Sequence, residues 1–147
     1  MMKVLRRVSV LVAMAVLATG GAAAADGVYH SERLSFEGGS DPAFHGRVVN
    51  IHPNGPVNGA LERYQVVRAE PSTDYGVWIQ FCVDTDFEDF TQTAVLTTDK
   101  HGNGHASAGF SAADLAPFSG ATVIIRWVLR VETADVYATP CTTVTID

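Results

Sequence analysis

The chain has 147 residues, with 10 Lys and Arg against 16 Asp and Glu for a formal charge of −6, and 47% of it is hydrophobic. That length holds about one domain on the usual span of roughly 100–200 residues, which excludes a multidomain enzyme. The acidic balance argues against a nucleic-acid partner, because phosphate neutralisation needs clustered Lys and Arg. Dense aromatic and β-branched content argues against disorder.

The first seven residues carry Lys3, Arg6 and Arg7 and no acid. Val8–Ala18 is then an apolar run, too short for the roughly 20 residues of a membrane span. Gly20–Ala25 follows with small-residue exits of the Ala-x-Ala kind. Together these read as a secretory signal peptide over residues 1–25, leaving residues 26–147 as one domain. Cleavage after Ala24 or Ala25 is equally consistent with the pattern, and it would remove three of the ten bases, leaving seven against 16 acids. No Cys stands at the exit for a lipid anchor, and no second apolar span follows. The mature protein is therefore expected to be secreted or periplasmic and free of membrane, with a leader of bacterial style.

Hydrophobic alternation of period two recurs along the rest of the chain, the mark of strands. Strands are expected at Val28–Glu37, Gly46–His52 and Leu61–Glu70, separated by the turn-rich stretches Gly38–Pro42 and Pro53–Pro56. After Pro71–Asp74 comes Tyr75–Asp84, with Tyr75, Val77, Ile79, Phe81 and Val83 on one face and Trp78 on the mixed one. Trp78 would offer a contact surface for a protein or carbohydrate if exposed, or pack beneath a loop or disulfide if not. Thr91–Lys100 and His105–Phe110 are the next strands. Ser111-Ala-Ala-Asp114 has capping-box spacing for one helical turn, which Pro117 would stop. Ala121–Glu132 follows, with Val123, Ile125, Trp127, Leu129 and Val131 on one wholly apolar face. Tyr137–Ile146 completes the set. These features predict an all-β fold, a single antiparallel β-sandwich of about 7–8 strands.

Cys82 and Cys141 are the two cysteines, and an exported chain permits a disulfide between them. Both fall on the more polar face of their strands, so the bridge is expected to clip neighbouring strands instead of crossing the core. The immunoglobulin pattern is absent: Trp78 precedes Cys82, and Thr139 stands where a Tyr would precede Cys141.

Two clusters invite metal readings. In Asp99-Lys-His-Gly-Asn-Gly-His105, a three-residue loop Gly102-Asn103-Gly104 would set Leu96 against Phe110 on the core face, whereas a two-residue Asn-Gly loop would put the apolar sets on opposite faces. This register places His101 opposite His105, with Cβ atoms about 5 Å apart and Asp99 on the same face. Two imidazoles and a carboxylate are ligands for Zn²⁺ or Cu²⁺, with His30, His45 and His52 as further donors; a solvated hairpin tip uses the same residues. Asp84, Asp86, Glu88 and Asp89 are oxygen ligands for Ca²⁺, although Asp89 and Val95 fail the EF-hand positions. Solvated loop acids are the alternative. No Gly-x-Ser-x-Gly, no His-Glu-x-x-His and no phosphate-cradling glycine motif occurs, so an enzyme has no positive support.

The stretch from Leu96 through Asp99 and His105, followed by Phe110, resembles a hairpin of secreted prealbumin-like and immunoglobulin-like sandwiches. The ending Tyr137-Ala-Thr-Pro-Cys141 is similar to that of small bacterial secreted β-sandwich proteins. These resemblances imply architecture and carry no activity. The expected role is a non-catalytic exported binding module for a protein or carbohydrate. A Zn or Cu protein using Asp99, His101 and His105 is the alternative, and a small secreted hydrolase the third.

Overall fold

The computed structural model describes residues 30–52 and 59–146; the expected leader and the Pro53–Pro56 turn lie outside the described residues. Nine strands follow in order: β1 (His30–Gly38), β2 (His45–His52), β3 (Gly59–Val67), β4 (Asp74–Val83), β5 (Asp86–Thr97), β6 (Gly104–Ser111), β7 (Thr122–Val131), β8 (Ala134–Ala138) and β9 (Thr142–Thr145). Between β6 and β7 lie a single helical turn, α1 (Ala112–Leu115), and a 3-10 turn at Ala116–Phe118.

Every pairing is antiparallel, and the order is β5-β4-β7-β8-β1-β2-β3-β6, with β9 also beside β7. One layer is β1, β2, β3 and β6; the other is β4, β5, β7, β8 and β9. The end of β1 joins the layers along one seam, pairing Glu37 with Ala138 and Gly38 with Tyr137. Gly38 has φ +122°, and a Cβ there would sit 2.6 Å from the Val136 carbonyl oxygen, so the seam requires glycine. Along the opposite seam β5 and β6 share one bridge, Thr98 to Gly104. The antiparallel all-β sandwich is thus nearly a barrel.

Alternation builds the core as the sequence indicates. Tyr75, Val77 and Ile79 of β4 and Ile125, Trp127 and Leu129 of β7 are buried against one another. Phe44 stacks on Tyr137 with ring centroids 3.9 Å apart, packing under the β1–β8 seam. Two boundaries differ markedly from expectation. The strand expected at Tyr137–Ile146 divides into β8 and β9 at Thr139-Pro140-Cys141, because Pro140 has no N–H to donate. Thr139 holds the break to β7: its N–H donates to the Trp127 carbonyl, and its Oγ1 accepts from the Trp127 N–H. Strand β5 starts at Asp86 instead of Thr91, because a tight turn at Asp84-Thr85, with Asp84 at φ +53°, pairs Val83 directly with Asp86.

Cys82 and Cys141 form a disulfide with Cα atoms 6.3 Å apart. Cys82 lies at the end of β4 and Cys141 in the β8–β9 link, two elements that flank β7, so the bridge clips one layer and leaves the core uncrossed. Ser111 and Asp114 form the expected capping box on α1, each side chain meeting the other's backbone N–H.

The hairpin register is a correction. Asp99 and Asn103 exchange the closing contact, Thr98 pairs with Gly104, and the loop is Lys100-His101-Gly102, not Gly102-Asn103-Gly104. The left-handed glycine is Gly102, at φ +76°, and not Gly104. Two interactions select this loop. The Asp99 carboxylate accepts from the His101 and Asn103 N–H groups at 2.7 and 2.9 Å. Gly102 also docks on the β3–β4 link, its carbonyl accepting from Ala69 N–H at 3.0 Å.

Candidate functional site

Among the described residues, the candidate metal ligands singled out in the sequence do not converge. With the corrected register His101 sits in the loop and His105 pairs with Gln65 of β3, so the two imidazoles no longer face each other. The Asp99 carboxyl is held below its usual range by the backbone N–H groups of Asn103 and then His101, and it serves the turn. Among the described residues no three His, Cys, Asp or Glu side chains converge as metal ligands would; the side chains of His30 and His52 lie outside the described ones.

The acids following Cys82 are spread along a turn and a strand. Asp84 occupies the β4–β5 turn, while Asp86, Glu88 and Asp89 lie along β5 opposite Val83, Phe81 and Gln80. Asp89 is bound by the Arg130 guanidinium at 2.7 and 2.9 Å, which lowers its pKa. Arg130 also donates to Asp135 at 2.6 Å and lies over the Trp78 ring at 4.9 Å. Gln80 ties Arg126 into the same network at 2.8 Å. Trp78 is half-buried, with one ring face beneath the Arg130 guanidinium.

A different group of residues forms a pocket. Between the layers, where β5 and β6 part beside the α1 turn, lies a cavity of about 260 Å³. Its walls are apolar: Ile79, Phe81, Phe110, Val123, Ile125 and Val144. Phe90 and Phe118 meet edge to face at 5.4 Å by its mouth, so the turn after β6 leans on β5 there. Asp114 also lines it, but Ser111 engages that carboxyl and lowers its pKa.

The interior end of the pocket is polar. Strand β3 points Ala60, Glu62, Tyr64 and Val66 inward, so alternation alone delivers a carboxyl to the core. Glu62 is 3% exposed and faces Asn50 across the β2–β3 pair; Asn50 is 1% exposed. Both line the cavity. Tyr64 donates its hydroxyl to Glu62 and also contacts Thr93 Oγ1 at 2.8 Å. The Trp127 indole N–H lies near enough to favour the ionised carboxylate, although it has no hydrogen-bond partner. Burial outweighs these partners and pushes the Glu62 carboxyl up to about 7. The Asn50 side-chain oxygen has no hydrogen-bond partner. A buried orphan polar atom costs about 1–3 kcal/mol, and this end of the interior holds two among the described residues, the Asn50 oxygen as acceptor and the Trp127 indole N–H as donor.

Sequence reasoning passed over this site. Its signal was one acid on the apolar face of the Leu61–Glu70 alternation, between Ala60 and Tyr64. Among the described residues no helix is long and apolar enough to cross a membrane. Set against family models, curated proteins and solved structures, the chain matches none of them.

Proposed function

We propose that the protein is an exported, non-catalytic binding module that holds a small amphipathic molecule in the cavity between its layers. The apolar body of that molecule would lie against Phe81, Phe110 and Ile125, and a hydrogen-donating head would meet Glu62 and Asn50. The observation that carries the reading is the unpartnered Asn50 oxygen beside a buried carboxyl at the end of an apolar pocket. Ligand pockets have this form, mostly apolar with a few convergent polar groups, and 260 Å³ lies just below the common range of about 300–1,000 Å³. A short ligand is therefore expected. Export is supported by the leader pattern and by the disulfide, which an oxidising compartment preserves.

Titration with the neutral dye N-phenylnaphthylamine, an apolar molecule with one N–H, tests the reading. Its emission should rise and shift to the blue with saturation at one dye per chain. Ala60→Leu should remove that response, because Ala60 lines the cavity and a larger side chain fills it. Absence of dye binding, or binding equal in the Ala60→Leu variant, would overturn the proposal.

A further inference from the structure

The two layers treat their arginines differently. On the outer face of the β4–β7 layer, Arg126 and Arg130 are paired with Asp135 and Asp89. On the outer face of the other layer, Arg33, Arg47 and Arg63 are exposed, and among the described residues none of them forms an ion pair. The register places them together. Arg33 and Arg63 both lie opposite Val49 of β2, one on each side, and Arg47 is two residues along β2 from it. Strand spacings of about 4.8 Å and rises of about 3.4 Å per residue put the three backbones within roughly 10 Å of one another. His105 adjoins them across β3, beside Gln65, which accepts from Arg47 at 2.6 Å. In a chain of formal charge −6, three unneutralised guanidiniums on one face form a local field of opposite sign.

The face is also concave. Two hollows of about 510 and 420 Å³ adjoin there, and Arg33, Arg47 and Gln65 line both of them. Ser35 and Ser107 add exposed hydroxyls in the neighbouring rows. We propose that this outer face of β1, β2, β3 and β6 is a docking surface for an acidic polysaccharide, its carboxylate or sulfate groups held by Arg33, Arg47 and Arg63. Two hollows that share Arg33, Arg47 and Gln65 suit an extended chain, and planar guanidiniums suit oxyanions that accept two hydrogen bonds at once. Side-chain amide and hydroxyl groups beside them suit sugar hydroxyls. Single-stranded nucleic acid binds on aromatic stacking platforms, and the exposed phenylalanines, Phe87 and Phe90, lie on β5 in the other layer. A protein interface has an aromatic or broadly apolar centre, whereas here Val49 is flanked by arginines on both sides.

The test measures binding of dextran sulfate, uncharged dextran, an oligothymidylate and polyglutamate to the purified protein in about 50 mM salt, a range where phosphate and sulfate contacts are strong. Dextran sulfate should bind, uncharged dextran should not, and the other two polyanions should bind less tightly. The combined Arg33→Gln, Arg47→Gln and Arg63→Gln variant should lose at least about tenfold in affinity for dextran sulfate and show a shallower salt dependence. Lys100→Gln, a charge change at the hairpin tip outside both hollows, should leave that affinity within about twofold, since a surface charge beyond a Debye length is screened. Circular dichroism and melting of each variant would confirm that the fold is kept. No binding of dextran sulfate, tighter binding of oligothymidylate or polyglutamate, or an equal loss in Lys100→Gln would overturn the proposal.

Discussion

Replacing Glu62 with Gln should remove the stability cost that this carboxyl imposes on the fold as pH rises. The Glu62 carboxyl is 3% exposed and its pKa rises from 4.5 to about 7 on folding, with burial as the main cause. Each pKa unit is worth 1.36 kcal/mol, so the shift amounts to about 3 kcal/mol. The folded pKa is the higher one. Below about pH 4.5 both states hold the proton and Glu62 costs nothing. Between 4.5 and 7 the unfolded chain releases the proton while the folded chain keeps it, and the native state loses stability; above 7 the loss is complete. Glu62→Gln keeps an acceptor for the Tyr64 hydroxyl and never ionises. Urea unfolding of both proteins from pH 4 to 8 should therefore give equal stabilities near pH 4. The variant should then gain about 3 kcal/mol over the parent by pH 8, with most of the change between 4.5 and 7. A difference that does not vary with pH, or one that is complete below pH 5, would show that water reaches the carboxylate and would refute the buried-floor reasoning.

Other perturbations follow from the same geometry. Gly102→Ala should destabilise by about 2 kcal/mol or more in urea, because φ is +76° and the new Cβ would stand 2.0 Å from the Ala69 carbonyl oxygen. Gly109→Ala, with nothing within 4 Å of the added carbon, should be neutral or slightly stabilising by the same measurement. Reducing the Cys82–Cys141 bridge, which closes 59 positions of chain, should cost about 4 kcal/mol of unfolding free energy in the chain-entropy model. Ser111→Ala removes the side chain that caps α1 and should cost about 1 kcal/mol, read from the urea midpoint.

What the sequence disclosed well was anything governed by a short repeat or a local motif. The inward sets of β4 and β7 follow from period-two alternation, because each alternate side chain either meets the other layer or water. The Ser111–Asp114 box is contained within four residues and needs no tertiary partner. The β5–β6 register was not disclosed, for a reason that is arithmetical as well as physical. Alternation distinguishes odd from even offsets, and the expected pairing of His101 with His105 differs from the observed pairing of Asp99 with Asn103 by an even number. Both put Leu96 on the core face against an inward residue of β6. The choice between them falls to the Asp99 carboxylate and to Ala69, and the second of these is distant in sequence. Any metal reading that depended on the first register loses its geometry with it.

Charge shows the same division between what composition can reveal and what topology decides. A formal charge of −6 describes the chain only on average, and Arg33, Arg47 and Arg63, spaced widely in sequence, become neighbours because β1, β2 and β3 run as consecutive antiparallel strands. Consecutive hairpins place residues of constant summed number side by side, so one outward arginine per strand suffices to build a patch. The same meander turns the inward positions of β2 and β3 into the floor of the cavity, where Asn50 and Glu62 are cross-strand partners. A single ribbon therefore carries an acceptor-lined pocket on its inner side and an unneutralised basic face on its outer side. The disulfide and the closed Arg126–Arg130–Asp89–Asp135 network belong to the opposite layer. The covalent and ionic contacts thus brace that layer, whereas the unpaired arginines stand on the outer side of β1–β3, where outward substitutions should alter binding before they alter stability.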